Sequence, residues 1–135
     1  MLARPSSLAR TFILAVCIWA TCNPVSSKAM KKPLTRMAEL EIDPTQLESY
    51  IGALKEEIAE SIRLEAGVLT LYAVSVKGKS NQIRIFETYA DQAAYEAHLQ
   101  TSHFKKYKRE TERMIKSLKL IETDPILLGG KTGQN

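Results

Sequence analysis

The stretch VLTLYAVSVKGKSNQIRIFETYA, residues 68–90, decides the fold. It contains two runs rich in β-branched and aromatic residues, separated by the turn-forming cluster GKSN. This pattern predicts a β-hairpin. Apolar residues lie on both sides of the first run, and a strand of this kind needs cover on both faces of its sheet.

A strand and a helix are predicted before this hairpin. LTRMAELEID, residues 34–43, alternates between polar and apolar side chains, which indicates a half-buried strand. Asp43 followed by proline is typical of a helix start, and a helix is predicted over residues 44–65. Gly67 is expected to end it in a left-handed turn. The apolar face of this helix comprises Leu47, Tyr50, Ile51, Leu54, Ile58 and Ile62.

Further helices and a last strand are predicted after the hairpin. Asp91 can cap one helix, and Ser102 can cap another over residues 103–116. Residues 118–128 indicate a final strand, in which Pro125 limits pairing. The order β-α-β-β-α-β is the split βαβ plan, an α+β fold in which an antiparallel sheet carries its helices on one face.

One face of this sheet is left without helices. The strand at residues 68–76 has apolar side chains on both sides, so its second face also needs cover. The simplest cover is another copy of the same chain, packed sheet against sheet. We therefore expect a homodimer.

The first 29 residues have the composition of an export signal. Arg4 and Arg10 precede the apolar run TFILAVCIWATC, and the segment contains no acidic residue. The run is too short to span a bilayer comfortably. We expect cleavage near Ala29 and a periplasmic or secreted protein with no membrane association afterwards. The alternative is a lipoprotein anchored at Cys22.

Beyond the signal, the chain has the size and charge of one small globular domain. Residues 30–33 are interpreted as a linker, residues 34–128 as the domain and residues 129–135 as a flexible tail. Charges nearly balance outside the signal, so nothing indicates nucleic acid as a partner. Both cysteines lie in the signal, which excludes a disulfide or a cysteine metal site from the mature domain.

Three motifs in register resemble a known family. LEAGVLTLYAVSV, QIRIFETYAD and AAYEAHLQTSHFKKY follow one another as in the antibiotic biosynthesis monooxygenase (ABM) domain, over about residues 34–122. The resemblance implies a ferredoxin-like subunit that forms a dimeric α+β barrel. Some members oxidise quinols or polyketide aromatics with dioxygen and use no metal, flavin or other prosthetic group.

Heme degradation, the activity of another branch of this family, is disfavoured. That branch needs an asparagine on the first strand, a tryptophan on the second helix and a ligand histidine one turn beyond. Here the first strand has no asparagine, His98 stands in place of the tryptophan, and Lys108 stands near the ligand position.

The resemblance implies a cofactor-independent monooxygenase that acts on a quinol-like or polyhydroxylated aromatic, and the N-terminal segment adds that it is exported. Two alternatives stay open, because a fold does not define its chemistry. One is a non-catalytic dimeric module that binds a small ligand. The other is an isomerase or lyase of the same barrel superfamily.

A cofactor-independent oxygenase needs a base and an apolar pocket, because a deprotonated phenol is the better reductant. The pocket is expected between the helices and the sheet. His103 is the candidate catalytic base, since the N-terminus of its predicted helix keeps the imidazole neutral. The candidate pocket residues are Tyr72, Phe86, Tyr89, Tyr95, His98, Phe104 and Tyr107.

Other roles for these side chains are open. His103 alternatively fills a polar gap in the core or caps the preceding helix, and His98 alternatively is a surface or packing residue. Glu87 lies on the apolar side of its strand, where an acid is costly unless it pairs with Arg84 or Arg36, or orients a catalytic histidine. A metal site at the two histidines would need carboxylates that converge on them, and nothing in the sequence shows such carboxylates.

Overall fold

Residues 32–130 are the part of the chain that the computed structural model describes. The strands are β1 (Leu34–Ile42), β2 (Val68–Val76), β3 (Lys79–Tyr89) and β4 (Ile115–Thr123). The helices are α1 (Leu47–Leu64), α2 (Gln92–His98) and α3 (Ser102–Thr111), with short 3-10 turns at Pro44–Gln46 and Glu112–Met114. None of the helices in this range is long and apolar enough to cross a bilayer. The predicted export signal and the end of the predicted tail lie outside the described residues.

The four strands form one antiparallel sheet in the order β2-β3-β1-β4. This order confirms the predicted split, ferredoxin-like α+β subunit. Central strand β1 pairs on both sides, so that Leu40 lies opposite Ile83 on β3 and Leu118 on β4. The core between sheet and helices comprises Ala38, Leu40, Ile42, Tyr50, Leu54, Val68, Leu71, Ile83, Ile85, Tyr89 and Tyr107.

Helix α1 buries much of the predicted apolar stripe, including Tyr50 and Leu54, but departs from it near its C-terminal end. Asp43 caps the 3-10 turn that precedes α1, as expected, because its carboxylate accepts a hydrogen bond from the Thr45 backbone N–H at 2.9 Å. Ile62, predicted in the core, is 50% exposed, which is a correction. Glu57 and Ser61 are buried instead. Their burial is tolerated because the Ser61 hydroxyl donates to Oε1 of Glu57 at 2.8 Å.

Gly67 permits a close approach and does not adopt a left-handed turn. Among the described glycines, Gly78 in the β2–β3 turn has a positive φ, of 79°, whereas Gly67 does not. A Cβ atom at Gly67 would lie 2.5 Å from the Cβ of Ala94 on α2. The predicted left-handed turn is therefore wrong, and the missing side chain instead lets α2 pack beside the start of β2.

Two boundaries after the hairpin also differ from the prediction. Thr101 caps α3 in place of the following serine, because its Oγ1 accepts from the Phe104 backbone N–H at 3.3 Å. Helix α3 ends at Thr111, earlier than predicted. The chain must turn there for Ile115 to pair with Ile42, and β4 consequently begins before the predicted strand.

The second face of the sheet is left uncovered by the helices. Tyr72 and Phe86 stack on this face with their ring centroids 5.1 Å apart, and Tyr72 is 48% exposed. Leu69 and Val74 are also exposed. This apolar surface is the one on which a second copy of the chain is predicted to pack.

Candidate active site

A cavity of about 100 Å³ lies between the sheet and helices α2 and α3. Leu118 and Leu120 border it from the edge strand β4, where both are exposed, so the cavity opens along that edge. Five predicted pocket residues are placed on its wall, together with Arg36 and Glu87. These five are Tyr89, Tyr95, His98, Phe104 and Tyr107.

Tyr72 and Phe86 do not line this cavity, which corrects their predicted position. Side chains alternate between the two faces of a strand. Phe86 lies between Ile85 and Glu87, which both border the cavity, so its ring lies on the uncovered face, where it stacks on Tyr72. The two rings therefore belong to the surface predicted for dimerisation.

Aromatic rings form much of the cavity wall. Tyr89 and Tyr95 meet edge to face, with their centroids 5.3 Å apart, and Arg36 lies 4.5 Å from the centroid of Tyr95. At the other end, the Tyr107 hydroxyl and the Tyr50 hydroxyl share a hydrogen bond of 2.7 Å. Burial raises the pKa of Tyr50 to about 12, and the hydrogen bond with Tyr107 offsets this rise only in part. Burial also raises the pKa of Tyr107, so both hydroxyls stay protonated at neutral pH.

Glu87 is the acidic residue on the cavity wall. It lies opposite Arg36 in the β1–β3 ladder, and the Tyr89 hydroxyl donates to its Oε2 at 3.2 Å. Burial raises the pKa of Glu87 above its ordinary value, and Tyr89, His98 and Arg36 offset that rise only in part. Arg84, the other predicted partner, instead lies 3.5 Å from Glu39. A carboxyl group with a raised pKa among apolar walls has the properties of a general base.

His98 is buried in the cavity wall, and both of its ring nitrogens face carboxylates. Nδ1 lies 3.0 Å from Oε1 of Glu65, and Nε2 lies 3.7 Å from Oε1 of Glu57. The ring packs against Phe104, with a centroid distance of 4.6 Å. The imidazole is thus part of the wall, with Nδ1 hydrogen-bonded to Glu65 and Nε2 beyond hydrogen-bonding distance of Glu57.

His103 is not among the residues that line the cavity. Its Nε2 lies 2.6 Å from Oε1 of Glu65, the oxygen that His98 also contacts. A carboxylate can only accept, so both histidines donate to this one oxygen. Although burial opposes the shift, these hydrogen bonds hold the pKa of Glu65 below its ordinary value. His103 can therefore influence the cavity only through Glu65 and His98.

Sequence reasoning did not single out Glu57 or Glu65 for any role at this site. Burial raises the pKa of Glu57, and the contacts from Ser61 and the two histidines offset the rise in part. A signal for Glu57 was present, because it follows Tyr50 and Leu54 at the spacing of one helix face. No local signal marks Glu65, since its partners lie 33 and 38 positions further along the chain.

Known proteins resemble the chain over most of this fold. Residues 33–110 match the family described as antibiotic biosynthesis monooxygenase. No curated protein matches the chain. The structure of a candidate antibiotic biosynthesis monooxygenase from Bacteroides thetaiotaomicron is 48% identical, with a TM-score of 0.72, and the match covers 76% of this chain and 97% of that one.

Two other solved structures are more distant. A candidate monooxygenase from Lactobacillus acidophilus is 28% identical with a TM-score of 0.64, over 67% of this chain and 45% of that one. A protein from Pseudomonas aeruginosa is 28% identical with a TM-score of 0.67, over 73% of this chain and 98% of that one. The match over residues 33–110 and the similarity to the Bacteroides structure confirm the resemblance: the chain belongs to the antibiotic biosynthesis monooxygenase family.

Proposed function

We propose that the protein is a monooxygenase that oxidises a quinol-like or polyhydroxylated aromatic with dioxygen, without a metal or flavin. One observation carries the proposal: a half-buried carboxyl group with a raised pKa, that of Glu87, borders the aromatic-walled cavity. Membership of the family supports monooxygenase chemistry. The cavity supports an aromatic ligand, because its walls offer ring faces and edges for stacking.

The reaction begins with removal of the phenolic proton of the substrate. The resulting aryloxide gives one electron to dioxygen, and the aryloxyl and superoxide radicals combine at an ortho or para ring carbon that carries a hydrogen. The peroxide anion formed there takes back the proton that the base removed and becomes a hydroperoxide. Loss of water from this intermediate breaks the O–O bond, removes the remaining hydrogen from that carbon and leaves a quinone carbonyl. One oxygen atom of dioxygen thus enters the product, and the other leaves as water.

Glu87 is the residue that we assign as proton acceptor. Glu87 borders the cavity, whereas Nδ1 of His98 is hydrogen-bonded to Glu65 and His103 lies outside the lining. Arg36, across the ladder from Glu87, places positive charge beside the aryloxide that forms. His103, the base suggested by the sequence, becomes a positioning residue that holds Glu65 and, through it, His98.

Oxygen uptake by the purified protein tests this function. After treatment with EDTA, the protein should consume oxygen with at least one member of a set of hydroquinones and naphthols, and ¹⁸O₂ should label the quinone once. Glu87→Gln should lose this activity, whereas Glu41→Gln, at an exposed acid on β1, should keep it. Aromatic binding without oxygen uptake would instead favour a binding module. Uptake that EDTA abolishes would contradict a metal-free reaction.

We also propose that the protein is exported, on the strength of the acid-free, basic and apolar segment at residues 1–29. N-terminal sequencing of protein from fractionated cells should find a start near Met30. Recovery of an intact Met1 in the cytosol would contradict export. A lipid-blocked Cys22 would favour the lipoprotein alternative.

A further inference from the structure

We propose that Glu65, His98 and His103 bind a divalent transition-metal ion such as Zn²⁺, independently of the reaction proposed above. One oxygen of Glu65 and one ring nitrogen of each histidine lie within 4.8 Å of one another. Three elements supply these groups: Glu65 follows α1, His98 ends α2, and His103 lies in the first turn of α3. The carboxylate that a site at the two histidines requires is therefore present.

The spacing of the three ligand atoms is close to that around one ion. Zn²⁺ binds nitrogen and carboxylate oxygen at about 2.0–2.2 Å in a tetrahedral arrangement, so two of its ligand atoms lie about 3.4 Å apart. Nδ1 of His98 lies 3.0 Å from Oε1 of Glu65, and Nε2 of His103 lies 2.6 Å from the same oxygen. Both contacts must therefore lengthen to admit the ion, by about 0.4 Å at His98 and about 0.8 Å at His103.

Glu57 lies near the second ring nitrogen of His98, where a small shift would make it an outer-shell partner of the proposed ion. Such a histidine usually donates its second N–H to a carboxylate, which fixes the tautomer and the ring orientation. Nε2 of His98 lies 3.7 Å from Oε1 of Glu57, and Ser61 donates to that oxygen at 2.8 Å. Glu57 is thus itself held in place beside the nitrogen that does not face the proposed ion.

Two imidazoles and one carboxylate suit borderline divalent ions and leave coordination positions for water. Without metal, His98 donates from Nδ1 and His103 from Nε2 to Glu65. On binding, the proton of His98 moves to Nε2, beside Glu57, and that of His103 moves to Nδ1. The side chains of Glu65 and His103 are 11% and 12% exposed, so an ion can reach them from solvent.

Nuclear magnetic resonance of the ring nitrogens tests the site in the unmodified protein. His98 and His103 are the two histidines of the chain, so ¹⁵N-histidine spectra contain two ring systems. One equivalent of Zn²⁺ should bind Nδ1 of His98 and Nε2 of His103 and change both tautomers. Unchanged spectra, or Zn²⁺ on the opposite nitrogens, would overturn the proposal.

Calorimetric titration of Zn²⁺ into variants provides a second, graded test. Glu57→Gln should weaken binding by about 10–100-fold, as expected for an outer-shell partner. His103→Ala, which removes a ligand, should weaken it further, with folding checked by circular dichroism. Glu56→Gln, at the exposed neighbouring acid, should bind as the wild type does. Equal affinity in wild type and folded His103→Ala would overturn the site.

Discussion

At the scale of single residues, the environment of a carboxyl group decides what it can do. Glu65 accepts two hydrogen bonds from histidines and has a lowered pKa. Glu87 is half-buried beside aromatic rings and has a raised pKa. Glu65 is therefore suited to hold partners as an anion, and Glu87 to exchange a proton at a higher pH than an ordinary carboxyl group does.

Activity should depend on pH through Glu87. A general base works in its ionised form, so kcat/KM should rise as pH increases through the raised pKa of Glu87, above its ordinary 4.5. Glu87→Gln should lower turnover on the order of 10²-fold or more and remove this rise. Steady-state oxygen uptake across pH measures both effects. Wild-type turnover in the Glu87→Gln variant would exclude Glu87 as the base.

Replacement of His103 separates a positioning role from a catalytic one. Because its contact with the cavity is indirect, His103→Ala should reduce turnover less than Glu87→Gln and should keep the rise of kcat/KM with pH. The pH profile of the variant measures this. If kcat/KM of the His103→Ala variant no longer rises with pH although Glu87 is intact, His103 is the base.

At the scale of elements, helix contacts depend on close approaches that local patterns do not show. α1 turns Glu57 and Ser61 inward, and α2 packs beside β2 at Gly67. In both cases the neighbouring element decides which side chains can be accommodated at the contact. Removing space at such a contact should therefore lower stability more than a change on a free helix surface does.

Gly67→Ala should destabilise the fold by about 1–3 kcal/mol, because the added Cβ would lie 2.5 Å from that of Ala94. Denaturant unfolding measures the loss, and adding Ala94→Gly should recover part of it. Gly52→Ala is the matched control: nothing lies within 4 Å of its added Cβ, so it should gain about 0.5–1 kcal/mol. Equal stability of Gly67→Ala and wild type would contradict the close approach.

At the scale of the whole molecule, the uncovered sheet face accounts for the proposed homodimer. The stacked pair of Tyr72 and Phe86, with exposed Leu69 and Val74, forms an apolar surface on a chain whose described helices all serve the other face. Exposed apolar patches of this kind mark interaction surfaces. We propose a second copy as the occupant, because packing of sheet on sheet buries the same face of both chains.

Sedimentation velocity should find a dimer of the wild-type protein at micromolar concentration. Tyr72→Asp should shift it to monomer, because the interface would bury an unpaired charge. Ile62→Asp is the matched control, since Ile62 is equally exposed but lies on α1, away from the sheet face. A monomeric wild type, or a dimer that both variants keep, would contradict this interface.

Features that depend on neighbouring residues were predictable from the sequence. Alternation along β1 and the turn cluster between β2 and β3 define strands within a few residues, and Asp43 and Asp91 cap by contacts two or three positions away. The order of elements then restricts the sheet to few arrangements, which is why the split βαβ topology followed. Tyr95, Phe104 and Tyr107 were candidates for the pocket from the sequence, but their spacing alone does not separate a cavity wall from a packed core.

Tertiary structure alone decided which groups meet at the site. Strand alternation separates Phe86 from Ile85 and Glu87, but only packing decided that the side of Phe86 is the uncovered one and that Ile62 lies outside the core. Glu65 meets His98 and His103 across 33 and 38 residues, and no local pattern encodes a contact of that separation. The pKa of Glu87 likewise depends on burial by elements distant in the chain. Local periodicity therefore determined the elements, and long-range packing determined the chemistry between them.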